Sequence, residues 1–182
     1  MLVGVGLIAP TYFAQWQQDK AVAAAAKQSQ RILIPVDPQT VQGTPERVEL
    51  PDLGITRAVI IGSYNTDTGD WTLTPDKAQF ADRSVVPNSA TGNTLIYGHA
   101  TDAVFGSLTQ LAIGNTAKVY TDNGYVFTYV LDSQETVSPT DVGVFSYKGK
   151  PRLTLQTCSG TWSQNRTLYY FSLTDYRQVA NN

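Results

Sequence analysis

One thiol and one imidazole set the chemistry open to this chain, because its 182 residues hold a single cysteine, Cys158, and a single histidine, His99. A lone cysteine cannot close an internal disulfide. One Cys and one His also fall short of the three or four ligands a zinc site uses, so neither a metal nor another cofactor is expected. Acyl transfer is what such a pair can do. An imidazole titrating at about pH 6.5 can take the proton of a thiol and later return one to an amine leaving group. The bland reading stands beside this one: free cysteines are among the most buried residue types, and a loop histidine commonly makes one hydrogen bond and nothing more. Position favours the pair. His99 ends the apolar run Thr94-Leu95-Ile96-Tyr97-Gly98, and Cys158 ends Leu153-Thr154-Leu155-Gln156-Thr157 before Ser159-Gly160. The two lie 59 residues apart, and a barrel can bring two such strand ends together. Arg166 is the third candidate, eight residues past Cys158 at the start of Thr167-Leu168-Tyr169-Tyr170-Phe171. If these two runs pair as a hairpin, Arg166 faces the thiol. A permanently charged guanidinium with several donors can hold an oxyanion; a surface arginine is the competing reading.

The elements that must carry these residues read as strands and turns. Val48–Leu50 and Ile55–Ile61 are short β runs separated by Pro51 and Gly54, and Trp71-Thr72-Leu73 is a further run after the turn at 66–70. Tyr125–Leu131 follows Val119-Tyr120-Thr121 across Asp122-Asn123-Gly124, a hairpin signal because Asn-Gly accepts positive φ. Phe105–Leu111 has room for one or two turns of helix. With the strands that carry Cys158, His99 and Arg166, this makes eight short strands with little helix, an all-β chain predicted to close into a barrel. No internal repeat, P-loop or dinucleotide fingerprint is present. The composition fits: the residues are 42% hydrophobic and 15% charged, with ten tyrosines and a formal charge of −2. A chain of this length buries a core without disulfides, and nothing in the charge balance points to nucleic acid or an anionic membrane surface as a partner.

On these residues the chain resembles a known family. Thr154-Leu155-Gln156-Thr157-Cys158 is similar to the Thr-Leu-x-Thr-Cys signature of sortases. Gly98-His99 with Phe105, Leu108, Leu111 and Gly114 resembles the family's histidine block, and Arg166 ahead of a β run resembles its arginine. The likeness covers roughly residues 47–177; Ala100 and Thr101 depart from it where many relatives carry a larger polar or basic residue. It implies an eight-stranded sortase-type barrel with one or two short helices, held at the extracytoplasmic face of a bacterial membrane. It implies a cysteine transpeptidase that cuts a Leu-Pro-x-Thr-Gly type signal in secreted proteins. Cys158 forms a thioacyl enzyme, His99 moves the protons and Arg166 stabilises the oxyanion. The acceptor is an amine of a cell-wall precursor or a pilin lysine. Thr157, beside the nucleophile, is a candidate substrate contact; Trp162, in the loop between Cys158 and Arg166, either lines the substrate groove or packs on the barrel.

The residues before the barrel divide in two. Residues 1–18 carry no charge until Asp19. Fifteen helical residues reach only about 22 Å, against roughly 30 Å of hydrocarbon. The segment reads as the end of a membrane anchor, with a signal segment or a docked helix as the other readings. Residues 19–46 read as an alanine-rich stalk followed by a linker broken by Pro35, Pro38, Gly43 and Pro45, and residues 47–182 as the catalytic domain. Two other functions compete: a non-catalytic extracytoplasmic β-barrel that binds a partner and merely buries Cys158, and another cysteine acyltransferase such as an L,D-transpeptidase. The latter fits poorly, since that family places its His and Cys close in sequence.

Overall fold

The computed structural model describes residues 40–65, 67, 70–160 and 164–179. The expectations for residues 1–18, for most of the stalk and for Trp162 lie outside the described residues. No helix among the described residues is long and apolar enough to cross a membrane.

The strands are β1 (Pro45–Leu50), β2 (Ile55–Gly62), β3 (Tyr64–Asn65), β4 (Asp70–Trp71), β5 (Ala78–Ala81), β6 (Asn93–Gly98), β7 (Thr116–Thr121), β8 (Tyr125–Val137), β9 (Arg152–Ser159) and β10 (Asn165–Gln178). Eight of them close a barrel in the order β1-β2-β5-β6-β9-β10-β8-β7. β7 and β1 seal it, with Val48 opposite Val119. Two neighbour pairs are parallel, β2 with β5 and β6 with β9; the rest are antiparallel. The Asp122-Asn123-Gly124 turn joins β7 to β8 as expected, with Gly124 at φ 79°, a conformation open to glycine at little cost. The only helical pieces among the described residues are 3-10 turns, the longest at Gly106–Gln110.

Period-2 alternation explains the core. Leu153 and Leu155 of β9 and Tyr169 and Phe171 of β10 point inward and are at most 2% exposed. Phe105 and Leu108, at the 3-10 turn, are fully buried among them and join the same core. Every residue of β6 is buried. Ile96 faces the barrel core, while Leu95 and Tyr97 face outward into a second, smaller cluster with Ala81 and Val144, against which Trp71 and Phe145 pack. A parallel strand covered on both faces is the usual arrangement.

One barrel strand escaped the sequence reading. β5, Ala-Gln-Phe-Ala, lacks the β-branched residues that mark strands, and only its full burial reveals it. Conversely, the run at Trp71 yields a two-residue ladder with Tyr64–Asn65 that lies outside the barrel. Residues 41–44 pack at the barrel end that holds the β7–β8 turn: Gly43 N donates to Pro87 O, Thr44 N to the Asp122 carboxylate, and Asn123 to Gln42 O. That end is opposite the one where β6 and β9 finish.

Candidate active site

Strand register brings the three candidates together. β6 and β9 run parallel with Gly98 beside Thr157, so the next residue of each, His99 and Cys158, emerge side by side from neighbouring strand ends roughly 5 Å apart. β10 runs antiparallel to β9 with Arg166 directly opposite Cys158. Cys158 therefore stands between His99 and Arg166 along the strand ends, and the hairpin anticipated from the sequence is the one that sets Arg166 opposite Cys158. Inward Leu153, Leu155 and Thr157 alternate with outward Gln156 and Cys158. The thiol thus sits on the outer face of the barrel, half-buried; His99, one residue past β6, is half-buried too. Arg166 donates from Nη1 to Asn165 O at 3.0 Å.

Thr157 is 4% exposed, and its Oγ1 donates to Gly98 O at 3.1 Å. It borders the groove, but its hydroxyl is spent on tying β9 to β6 one residue before both His99 and Cys158. Gly98 has its own constraint: a Cβ there would lie 2.5 Å from Val104 Cγ1. Only glycine lets the chain after His99 fold back this closely. Phe105 N then donates to His99 O at 3.0 Å and closes the loop.

From Cys158 and Arg166 an open groove of about 270 Å³ runs over the outer faces of β6 and β9. Leu95 and Tyr97 line it from β6, Trp71 and Leu73 from the small β3–β4 side, and Val142 and Phe145 from the loop between β8 and β9. Trp71 and Phe145 stack with centroids 5.8 Å apart and planes 4° from parallel, and the edge of Trp71 meets Tyr97 at 5.4 Å. The Tyr97 hydroxyl donates to Thr72 O at 2.9 Å. Burial pushes its pKa up to about 12 against the opposing hydrogen bond with the Thr72 hydroxyl, so this phenol stays neutral. Asp70 and Asp141 border it as well.

The loop wall is fastened from behind. Buried Asn93 donates to Val144 O at 3.2 Å and accepts from Thr154 Oγ1 at 2.7 Å. The Arg152 guanidinium lies 3.8 Å from the Tyr147 ring and 4.3 Å from that of Tyr170, cation–π contacts that pin the far end of the loop. None of the groove residues beyond Thr157, Cys158 and Arg166 was singled out from the sequence. The signal available was weak: an apolar Val142-Gly143-Val144-Phe145 inside an otherwise polar connection. Among the described residues no cluster of His, Cys, Asp and Glu is arranged to hold a metal ion.

A family model described as Sortase domain matches residues 48–173. No curated protein sequence matches the chain. Solved structures share the fold. Streptococcus pneumoniae sortase C is 19% identical with a TM-score of 0.64, covering 91% of this chain and 90% of its own. Listeria monocytogenes sortase A is 20% identical with a TM-score of 0.62, covering 76% and 92%. Streptomyces coelicolor sortase E1, solved with a tripeptide in its active site, is 19% identical with a TM-score of 0.61, covering 75% and 91%.

Proposed function

The chain belongs to the sortase family, whose members are cysteine transpeptidases, and from that membership we propose that it cuts a Leu-Pro-x-Thr-Gly type signal at the Thr–Gly bond and passes the acyl group to an amine. The carrying observation is the register that flanks Cys158 with His99 on one side and Arg166 on the other. Cys158 passes its thiol proton to His99, and the thiolate Sγ attacks the threonine carbonyl carbon. The oxyanion that forms is met by Arg166, a fixed cation that needs no reorganisation as charge develops. The carbon–nitrogen bond breaks, the glycine amine leaves with a proton from His99, and a thioester remains. An incoming amine attacks that thioester, gives its proton to His99, and expels the thiolate. The apolar, aromatic groove beside Cys158 suits the Leu-Pro end of such a signal, and Thr157 serves as the tie that aligns the two strand ends.

The acceptor is a cell-wall precursor amine or a pilin lysine. Streptococcus pneumoniae sortase C is described with pilin substrate specificity, which supports the second choice by likeness of fold alone. We place the enzyme outside the cytoplasmic membrane, tethered by the apolar segment that opens the sequence.

Intact-protein mass spectrometry tests the mechanism. Mixed with Leu-Pro-x-Thr-Gly and Leu-Ala-x-Thr-Gly peptides, the chain gains the mass of the peptide up to its threonine. The adduct is released by hydroxylamine and absent in Cys158→Ala. No adduct with any peptide, joined to a Cys158 that resists thiol reagents in the folded protein, favours the binding-module reading instead. The half-exposed thiol at a groove already speaks against that alternative.

A further inference from the structure

β2 carries a charge on its inward stripe. Ile55 and Val59 lie in the barrel core, and Arg57, between them on the same face of the strand, is half-buried. An arginine in a row of core residues must find partners for its donors. All three of its hydrogen bonds end on main-chain carbonyls. Nη1 donates to Thr56 O at 2.9 Å, within its own strand. Nε donates to Val104 O at 3.0 Å and Nη2 to Asp102 O at 2.8 Å.

Those last two carbonyls belong to the loop that follows His99. The loop is closed on itself by Phe105 N to His99 O, Val104 N to Thr101 O and Gly106 N to Thr101 O. Its far end is anchored, because Val104 and Phe105 are fully buried. Its crest is not, because residues 100–103 are exposed. Arg57 grips that crest. Through Asp102 O it ties the exposed part of the loop after His99 to the barrel wall.

We infer that Arg57 is a positioning residue for His99, fixing the loop through a planar two-carbonyl fork; this rests on the proton-carrying role given to His99 above. The side chain touches neither the thiol nor the groove. A lysine would keep the charge but cannot span both carbonyls with one rigid set of donors.

The single histidine makes the test clean, since its imidazole gives one set of carbon-bound proton resonances readable without substrate. In Arg57→Gln these signals shift and broaden relative to the intact chain. Thioacyl formation under single-turnover conditions slows about 10- to 100-fold, the range a small misplacement of a catalytic group produces, while the KM for peptide is unchanged. Arg57→Lys gives the same spectrum and rate as Arg57→Gln. Unaltered imidazole signals in both variants overturn the inference, as does full rescue by Arg57→Lys, which would make the charge alone sufficient. If neither variant folds, the arginine is a core residue and the positioning role falls. A failure of the transpeptidase reading shows differently: no peptide acylates even the intact chain, while the imidazole spectrum still decides the role of Arg57.

Discussion

At the residue scale the arrangement asks most of Arg166 and Thr157. If Arg166 meets the oxyanion, its donors matter in the transition state rather than in peptide binding. Arg166→Ala should lower kcat by about 100- to 1,000-fold, the usual cost of one lost oxyanion donor, with little change in thermal stability. Arg166→Lys should recover only part of it, because a single ammonium does not reproduce the guanidinium's donor geometry. Steady-state transpeptidation with a fluorogenic peptide reads both. A large rise in KM with kcat intact would make Arg166 a substrate clamp instead. Thr157→Val removes the side-chain donor to Gly98 O, a carbonyl that keeps its place in the β6–β9 ladder, so the loss is that of one hydrogen bond, about 0.5–1.5 kcal/mol. The melting temperature should fall, and turnover should fall further than that loss explains, because the tie sits one residue from both reacting groups. The reacting trio was legible in the sequence for a simple reason. Unique residue types at the ends of apolar runs leave few alternatives. Arg57 and Phe145 were not legible, because their roles come from which loop each meets across the barrel, and that follows from register, not from local pattern.

At the element scale the groove wall depends on contacts between segments far apart in sequence. The small β3–β4 ladder delivers Trp71, and the loop between β8 and β9 delivers Phe145; the two rings stack only because both segments fold over β6. Phe145→Ala removes a stacking partner worth about 0.5–1.5 kcal/mol beyond its buried area and opens one side of the groove. The expected result is a KM for the sorting peptide raised several-fold at near-constant kcat, since Cys158, His99 and Arg166 are held by the strands and not by this loop. Equal losses in kcat and kcat/KM would show that the wall acts on the chemistry. The barrel class was readable from alternation and turns, and the β7–β8 turn from Asn123-Gly124. Element bounds were less so: β8 and β10 run on to Val137 and Gln178, as a long paired ribbon whose outer residues are polar and carry no hydrophobic period.

At the scale of the whole molecule, ten tyrosines in a chain with six phenylalanines give the barrel an alkaline limit. Several phenols are held above their ordinary value by burial: Tyr129 and Tyr169 in the core, Tyr97 over the groove, and Tyr170 with the added effect of Glu135. A free tyrosine releases its proton at about pH 10, while folded Tyr97 keeps it to about 12. Between those values the unfolded chain binds fewer protons than the folded one, so stability must decrease as pH rises. Below pH 10 the phenols are protonated in both states and contribute no slope. The urea midpoint should therefore hold steady from pH 8 to 10 and then fall between 10 and 12. Tyr97→Phe isolates one phenol: it should be somewhat less stable at pH 8, having lost the bond to Thr72 O, and its midpoint should fall less steeply above pH 10. A midpoint that stays level to pH 12 in the intact chain would mean that the phenols ionise in the folded barrel as easily as in water, and that their burial is looser than the packing of β6 and β8 requires.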